Sequence, residues 1–283
     1  MNPMMWRGLS LTSLRVAFLS VLLGCVTIPA SHAEVAMDLK DDNSWNIAVG
    51  GFWATTSTTV RIDSTSGSVG TTINAEEDLA WDDRDFSPFI TLGYRFNKNH
   101  SLLASYWSIR RDGVRDLAID LDIGDETYTL GTTIDSQFIT DIYRVTYGYH
   151  FYTSDKWSIA FLGGLHITNL KFNIRAVGGM GTTFQEAADA VAPLPTFGFS
   201  GSYQINDKWY LSGWFQGLTL EFEDFKGKML NASMAVTYKP WENWAISTGV
   251  TSFDINVSST DDDIRGEFDY EYIGPIISLH SAF

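Results

Sequence analysis

The 283-residue chain has one cysteine, few basic side chains and, beyond its first thirty residues, no long apolar run. Because Cys25 is the only thiol, neither a disulfide framework nor a thiolate metal cluster can form. No later stretch approaches the roughly 20 apolar residues of a transmembrane helix, which excludes a helical membrane protein. The 19 basic residues stand against 34 acidic ones. That balance argues against nucleic acid as a partner, because a surface that binds nucleic acid is basic.

The N-terminal segment has the pattern of a secretory signal peptide. Arg7 and Arg15 precede an apolar stretch over residues 16–28. Residues 31–33 (Ser-His-Ala) form a small-x-small cleavage site. We therefore expect a signal peptide over residues 1–33 and a single domain over residues 34–283.

Cys25 permits a competing interpretation of the same segment. Residues 22–25 (Leu-Leu-Gly-Cys) look like a lipobox, in which Cys25 would be acylated and a lipid chain would anchor the N-terminus. Otherwise Cys25 is an apolar residue of the signal peptide and leaves with it.

Beyond the signal peptide, apolar and polar residues alternate with period two in ten stretches, several of which end in aromatic side chains. In the fourth stretch, Tyr143, Val145 and Tyr147 share one face, while Arg144 and Thr146 share the other. The ten predicted strands cover residues 45–56, 86–96, 100–109, 138–151, 157–168, 197–205, 209–220, 230–238, 244–257 and 272–283. Short turns and long connections alternate between them. The pattern predicts an all-β fold, an antiparallel up-and-down transmembrane β-barrel of about 10 strands, with roughly 8 to 12 possible.

A soluble β-sandwich is the alternative fold, since it would bury the apolar faces against a second sheet. Aromatic residues at the strand ends and the alternation of short and long connections favour the barrel.

The long connections are predicted to be extracellular loops. They cover residues 57–85, 110–137, 171–196, 221–229 and 258–271. In the second, residues 117–123 and 127–134 alternate around residues 124–125 (Gly-Asp), which predicts a hairpin above the membrane. If that hairpin joined the wall, the strand count would be twelve. In the third, we expect a flexible, small-residue loop with a short helical turn over residues 187–195.

The whole mature chain resembles small outer-membrane β-barrel proteins of Gram-negative bacteria, in the broad class of OmpA-type and OmpW-type transmembrane domains. The resemblance is carried by the signal peptide, the turn over residues 93–97 (Gly-Tyr-Arg-Phe-Asn) and the terminal Phe283. It implies location in the outer membrane. It also implies that the barrel-assembly machinery reads the last strand, with Phe283 as the assembly signal. A narrower resemblance, over residues 131–136, 142–145 and 261–266, is to outer-membrane proteins with no assigned activity.

Histidine is the residue on which an enzymatic function would depend, because catalysis needs a base beside a nucleophile or an activated water. His100, His150 and His280 fall at predicted periplasmic strand ends, whereas omptin-type proteases work at the extracellular rim. The lipid A deacylase type has a His-x-Ser pair on one strand. Here His166 is followed at i+2 by Thr168 instead of serine. We therefore predict that the protein is not an enzyme and assign no catalytic residue, with His166 as the best remaining candidate.

Two acidic runs are weak candidates for a metal site. Carboxylates clustered on loops could hold Ca²⁺ or Mg²⁺ loosely, although no run matches an EF-hand. The candidate runs consist of Glu76, Glu77 and Asp78, which are followed by Asp82, Asp83 and Asp85, and of Asp261, Asp262 and Asp263; a further acidic run comprises Asp120, Asp122, Asp125 and Glu126. The simpler interpretation is that these are solvated loop residues. No other cofactor is expected.

The polar faces of the predicted strands should line the lumen. They carry Arg95, Arg144 and His166 together with His150, Gln216, Asn231 and Lys239. Because eight strands are just filled by side chains, about ten enclose little space, and arginines paired with acids could plug it. We therefore predict a narrow or plugged lumen.

The sequence favours a structural or surface-interaction role in the cell envelope, with acidic extracellular loops. The expected partners are outer-membrane lipids and lipopolysaccharide. The alternative function is a narrow pore that conducts small solutes or ions.

Overall fold

The computed structural model describes residues 44–64, 69–118, 120–123, 126–129, 131–177, 183–222, 224–260 and 265–283. The predicted signal peptide, Cys25 and the acidic run Asp261, Asp262 and Asp263 lie outside the described residues.

Ten long antiparallel strands form a closed ring in the described part of the chain. They are β1 (Ser44–Ile62), β3 (Arg84–Asn97), β4 (His100–Asp116), β7 (Thr133–Thr153), β8 (Trp157–Val177), β9 (Thr183–Gln204), β10 (Trp209–Phe222), β11 (Phe225–Trp241), β12 (Trp244–Thr260) and β13 (Arg265–Ala282). Each pairs with its neighbours in the chain order, and β13 pairs with β1 from Asn46–Ala282 to Ile62–Gly266, which closes the barrel. The prediction of an up-and-down barrel of about ten strands is confirmed.

In the part of the extracellular connections that the structure describes, there are three shorter strands and one helical turn. The strand β2 (Ile73–Asn74) pairs with β1 beyond the end of β3, and the helix α1 (Ala75–Asp78) follows it directly. The strands β5 (Leu121–Ile123) and β6 (Glu126–Tyr128) form a separate two-stranded sheet. The predicted hairpin is therefore present, but it does not join the wall.

The outer surface of the ring is a belt of exposed apolar side chains. It includes Trp45, Val49, Trp53, Phe86, Ile90, Leu92, Leu102, Tyr143, Val145, Phe199, Phe215, Leu230, Val250, Ile273 and Ile277. The inward positions of the same strands carry serine, threonine, glycine and arginine, many of them buried. An apolar face outside and a polar face inside is the arrangement of a membrane barrel.

Paired aromatic rings form a girdle at the end where the short turns lie. Trp45 contacts Tyr94, Trp157 contacts Tyr203, and Trp209 contacts Tyr238, with ring centroids 4.6, 4.6 and 4.7 Å apart. In barrels of this kind the short turns face the periplasm and the longer loops face outward. Among the described residues, no helix has the length and hydropathy to cross a membrane.

Several strands rise farther on the extracellular side than the sequence predicts. β7, β8 and β9 have 21, 21 and 22 residues, and β8 pairs with β9 up to Val177–Thr183. The prediction of a loop over residues 171–196, with a helical turn over residues 187–195, is wrong, because most of these residues belong to β8 and β9. The loop expected over residues 221–229 is likewise mostly strand. Above the apolar belt, neither face of a strand contacts lipid. The sequence there does not alternate between apolar and polar residues, so the pattern used to predict strands is missing from these segments.

Candidate functional site in the barrel lumen

Residues 73–82, here called the plug, bury apolar side chains in the extracellular mouth of the barrel. Ile73, Leu79 and Trp81 are each 5% exposed, and Ala75 is fully buried. The plug approaches the wall so closely that a Cβ at Gly113 would lie 2.3 Å from the carbonyl oxygen of Leu79. Only glycine at this position of β4 permits that approach.

The plug folds through local hydrogen bonds around α1. The side-chain oxygen of Asn74 accepts from the backbone N–H of Glu77 (3.0 Å), as an N-cap does. The backbone N–H of Asn74 donates to Asp78 (2.8 Å). Ala80 then takes a left-handed conformation, with φ of 56°, and the N–H of Trp81 returns to the carbonyl of Ala75 (3.2 Å). This turn directs the Trp81 ring into the lumen.

A buried arginine, Arg111 on β4, fastens the plug. Its guanidinium forms an ion pair with Glu76 of the plug and donates to the hydroxyl of Thr58 (2.6 Å) and the carbonyl of Asp82 (3.1 Å). It also lies 5.0 Å from the centre of the Trp81 ring, in a cation–π contact. The Arg111–Glu76 pair is called the latch below. Because Arg111 is 1% exposed, the latch is shielded from water.

Below the plug, stacked aromatic rings fill the extracellular half of the lumen. The indole N–H of Trp81 donates to the hydroxyl of Ser136 (2.8 Å), and its ring stacks on Phe138 at 5.3 Å. The series continues inward through Tyr270, Phe253, Tyr272 and Phe52, with neighbouring centroids 5.3–6.2 Å apart. This aromatic column leaves the upper lumen packed with side chains.

Arg144 occupies the centre of the lumen between two indole rings. Its guanidinium carbon lies 4.4 Å from the Trp214 ring centre and 5.1 Å from that of Trp107, and one N–H donates to Asn231 (3.0 Å). His166 packs against the same layer, stacked on Phe253 at 5.4 Å and edge-on to Trp107 at 5.7 Å. The structure therefore brings Arg144 and His166 together.

The third predicted lumen residue, Arg95, lies apart from them at the periplasmic end. Its guanidinium donates to the carbonyl oxygens of Asn97 (3.3 Å) and Lys98 (2.9 Å) in the first short turn. Nearby, the ring nitrogens of His150 lie within hydrogen-bonding distance of Ser101 (3.3 Å) and Ser158 (2.8 Å). Arg95 thus closes a turn, whereas Arg144 spans the lumen.

A cavity of about 80 Å³ occupies the lumen between the Arg144 layer, formed by Arg144, Trp107, Trp214 and His166, and the periplasmic end. Arg144, Trp107, Trp214 and Asn231 all line it. The small residues of the lining include Ala48, Ser105, Ser247, Thr251 and Ser278, and its larger members include Phe52, Phe89, Tyr272 and His280. The two halves of the lumen therefore differ in what fills them.

The acidic run of Glu76, Glu77 and Asp78 does not come together as a carboxylate cluster. Glu76 pairs with Arg111 and accepts from the N–H of Thr58 (3.0 Å), while Asp78 accepts from Asn74. Glu77 lies at the surface. Among the described residues, no three His, Cys, Asp or Glu side chains are grouped as metal ligands.

Several residues of the site were not singled out from the sequence, chiefly Trp81, Arg111, Trp107 and Trp214. One signal was available for Arg111. It continues the inward alternation of β4 after Trp107 and Ile109, two residues beyond the predicted end of that strand. Trp81 carries no such signal, because its burial depends on contacts with β7 and β8 that are remote in sequence.

Comparison with known proteins finds its matches among solved structures. No protein-family model matches the sequence, and no curated protein matches it. The fold is similar to that of the outer membrane protease OmpT from Escherichia coli, at 10% identity and a TM-score of 0.58, over 85% of this chain and 97% of that one. Ail of Yersinia pestis, the attachment invasion locus protein, matches at 10% identity and a TM-score of 0.28, over 83% and 99% of the two chains. The toluene transporter TodX of Pseudomonas putida matches at 10% and 0.33, over 87% and 92%.

The likeness to OmpT corrects one prediction. The sequence led us to exclude an enzyme, and that exclusion is wrong, because the barrel architecture of this chain is also that of a protease. At 10% identity the likeness shows the fold alone and transfers no catalytic residue. With its closed ring and its apolar belt, the chain has the fold of an outer-membrane β-barrel, the fold it shares with OmpT.

Proposed function

We propose that the protein is a structural and surface-interaction barrel, whose lumen is kept closed to the exterior. The observation that carries this proposal is the plug, which fills the extracellular mouth with Trp81 and is fastened by the buried latch. The aromatic column and Arg144 add two further layers beneath it. A solute entering from outside would have to displace all three layers.

The tall wall of β7, β8 and β9 is the part that would interact at the cell surface. After Ile167 the next four outward positions of β8 are polar (Asn169, Lys171, Asn173 and Arg175), and the strand continues to Val177. Strands paired over that length form a rigid platform, and loops on a rigid scaffold are where binding usually resides.

Electrical recording tests the closed lumen. Purified protein inserted into planar bilayers should give no reproducible discrete conductance steps, because the plug, the aromatic column and Arg144 obstruct the path. A variant with residues 73–82 replaced by a glycine-serine linker of equal length serves as the comparison. Regular steps from the unmodified protein would contradict the proposal.

The competing function is a narrow pore for small solutes or ions. One observation favours it: the plug is held mainly by side-chain contacts and the latch, since β2 contributes only the pairs Thr59–Asn74 and Val60–Ile73 to the wall. A plug held in this way could be displaced without breaking the ring. Discrete steps in the unmodified protein that depend on voltage or added solute would favour the pore.

Lipopolysaccharide is the partner we propose at the outer face. Arg110 and Arg175 point outward and are exposed, and Lys171 lies on the same face, where it bonds Asp141 at 2.8 Å. These positions lie just above the apolar belt, at the height expected for lipid phosphates. Guanidinium and ammonium groups there would bind phosphate.

A binding assay in detergent separates this contact from nonspecific charge attraction. Changing both Arg110 and Arg175 to Ala should weaken binding of lipopolysaccharide several-fold but leave binding of its dephosphorylated form unchanged. The control changes Lys156 and Lys208, two exposed lysines at the periplasmic turns, to Ala. An equal loss in both variants would contradict a specific site.

We also propose Phe283 as the signal for assembly. The residue exchanges two backbone hydrogen bonds with Trp45 at the seam (2.8 and 3.0 Å), and its side chain is 71% exposed. Deleting Phe283 should lower the amount of heat-modifiable, folded barrel in the outer membrane. Phe96→Ala, which removes another exposed aromatic ring at the periplasmic end, is the matched control. Equal yields from both variants would contradict the assignment.

A further inference from the structure

We propose that the cavity in the periplasmic half of the lumen binds a small oxyanion, a carboxylate or a phosphate group, with Arg144 as its anchor. This inference goes beyond the structural role proposed above and does not depend on it. It rests on the charge, the donors and the size of the cavity.

The charge of the lining is one-sided. Arg144 lines the cavity, and none of the described lining residues is an aspartate, glutamate or lysine. Arg144 is also buried, at 5% exposure, so its charge acts in a medium of low dielectric constant. An anion entering the cavity would meet a positive field that solvent screens only weakly.

The guanidinium of Arg144 is held in one orientation. The ring faces of Trp107 and Trp214 lie on it at 5.1 and 4.4 Å, and Asn231 accepts one of its N–H groups at 3.0 Å. A planar guanidinium has five donors in a fixed fork and matches the geometry of carboxylate and phosphate. Since the rings fix its orientation, binding would cost little side-chain entropy.

Two further polar groups of the lining are buried and form no hydrogen bond of good geometry. The indole nitrogen of Trp107 is one of them: it can only donate, and the nearby hydroxyl of Tyr272 is poorly placed to accept from it. The side-chain oxygen of Asn46 is the other, and rotation of its amide would present the NH₂ group instead. Trp107 and Asn46 are 5% and 6% exposed. An oxyanion would supply acceptors to both.

The size of the cavity limits the ligand. A volume of about 80 Å³ exceeds the roughly 10–15 Å³ that a cavity needs to hold one water molecule and is about half that of an engineered 150 Å³ cavity that admits benzene. Acetate, a short-chain carboxylate or inorganic phosphate is of this order. The lining extends to Asn46 and His280 near the periplasmic end of the seam, while the plug covers the other mouth. The ligand would therefore enter from the periplasm.

Calorimetric titration of the purified barrel in detergent tests the site, with acetate, butyrate and inorganic phosphate as separate probes and chloride at equal ionic strength as the reference. We expect saturable binding of at least one oxyanion. Arg144→Met should weaken it at least about tenfold, because it removes the charged donors. Arg95→Met is the matched control, since it deletes another buried lumen arginine that does not line the cavity, and it should change affinity less than about twofold.

A second variant guards against misfolding of Arg144→Met, which heat-modifiable mobility would reveal. Ala48→Leu adds bulk to the cavity and keeps Arg144, so it should abolish binding in a folded barrel. Acetate and phosphate distinguish a carboxylate site from a phosphate site. Absence of saturable binding by all three probes, or binding that Ala48→Leu leaves intact, would overturn the proposal.

Discussion

The extracellular half of the lumen is filled by large aromatic side chains, whereas the periplasmic half holds a cavity, where serine, threonine and alanine side chains alternate with fewer aromatic rings. The same ten strands enclose both halves. The interior of an eight-stranded barrel is just filled by ordinary side chains. In the slightly wider ten-stranded ring, the size of the inward side chains decides whether the lumen is filled or a cavity remains. Phe138, Phe253 and Tyr270 fill that room above, while Ser105 and Ser247 leave it open below.

The two ends of the lumen also differ in what lies across them. At the extracellular mouth a segment from outside the wall is inserted and fastened by the latch. At the periplasmic end the wall's own side chains, such as Arg95 and His150, bond to turns and neighbouring strands. Closure from outside is therefore a property of the plug, and it can be altered without changing the ring.

Breaking the latch should have the largest effect. Arg111→Met leaves the carboxylate of Glu76, whose side chain is 14% exposed, without its ion partner, and a loss at the lower end of the range for buried pairs, about 3 kcal/mol, is expected. The free energy of unfolding, measured by urea titration in lipid vesicles, should fall by that amount. The upper half would then become accessible, so a cysteine at Ser136, beneath Trp81, should react with a maleimide added from outside.

The neighbouring residue provides the control. Arg110 is exposed on the outer face of the same strand, so Arg110→Met should change the unfolding free energy by less than about 1 kcal/mol and leave Ser136→Cys unreactive. Adding Glu76→Gln to Arg111→Met should recover part of the loss, because the buried charge is removed. Equal destabilisation by both arginine changes would refute the latch.

The ring could be predicted from the sequence, but the plug could not. Alternation such as Tyr143, Arg144, Val145 and Thr146 is dictated by lipid outside and polar groups inside, so it is visible over every stretch that crosses the membrane. The plug has no such constraint. Trp81 is buried by Ser136 and Phe138, more than fifty positions away, and by Arg111, thirty positions away, and the acidic residues near it in sequence have the pattern of a solvated loop.

The same limit explains the centre of the lumen. Alternation predicted that Arg144 and His166 face inward, but not that Arg144 would lie between Trp107 and Trp214. Which inward side chains meet depends on the shear and size of the ring, and a single sequence does not reveal these.

A change at the boundary between the two halves should have an intermediate effect. Asn231 accepts from Arg144 at 3.0 Å and donates to the carbonyl of Ser252 at 2.7 Å. Asn231→Ala removes both bonds in a buried site and should cost about 1–3 kcal/mol. The same unfolding titration measures it, with Asn173→Ala, an exposed asparagine on the outer face of β8, as the reference. If the two changes cost the same, the Arg144 layer is not a stabilising boundary.

The smallest effect is expected outside the lumen, at the ion pair of Asp141 and Lys171 above the apolar belt. Burial tends to raise the pKa of Asp141, but hydrogen bonds from Lys171 and Ser108 outweigh it and hold that pKa below its usual value of 3.8. The pair is partly exposed, with 41% of the Lys171 side chain accessible, so solvent screening limits its contribution to less than about 1 kcal/mol. Asp141→Asn should lower the unfolding free energy by that amount at neutral pH.

The sign of the pH dependence follows from the lowered pKa of Asp141. A carboxyl group with a lower pKa in the folded than in the unfolded state contributes stability above its unfolded value, and loses that contribution as pH falls through the folded value. The difference between the unmodified barrel and Asp141→Asn should therefore be constant from neutral pH down to about pH 5 and vanish below the lowered pKa. Arg111→Met should retain most of its larger cost at neutral pH in high salt, because the latch is shielded from water and the outer pair is not. A salt dependence as strong for the latch as for Asp141 would show that the upper lumen is open to water.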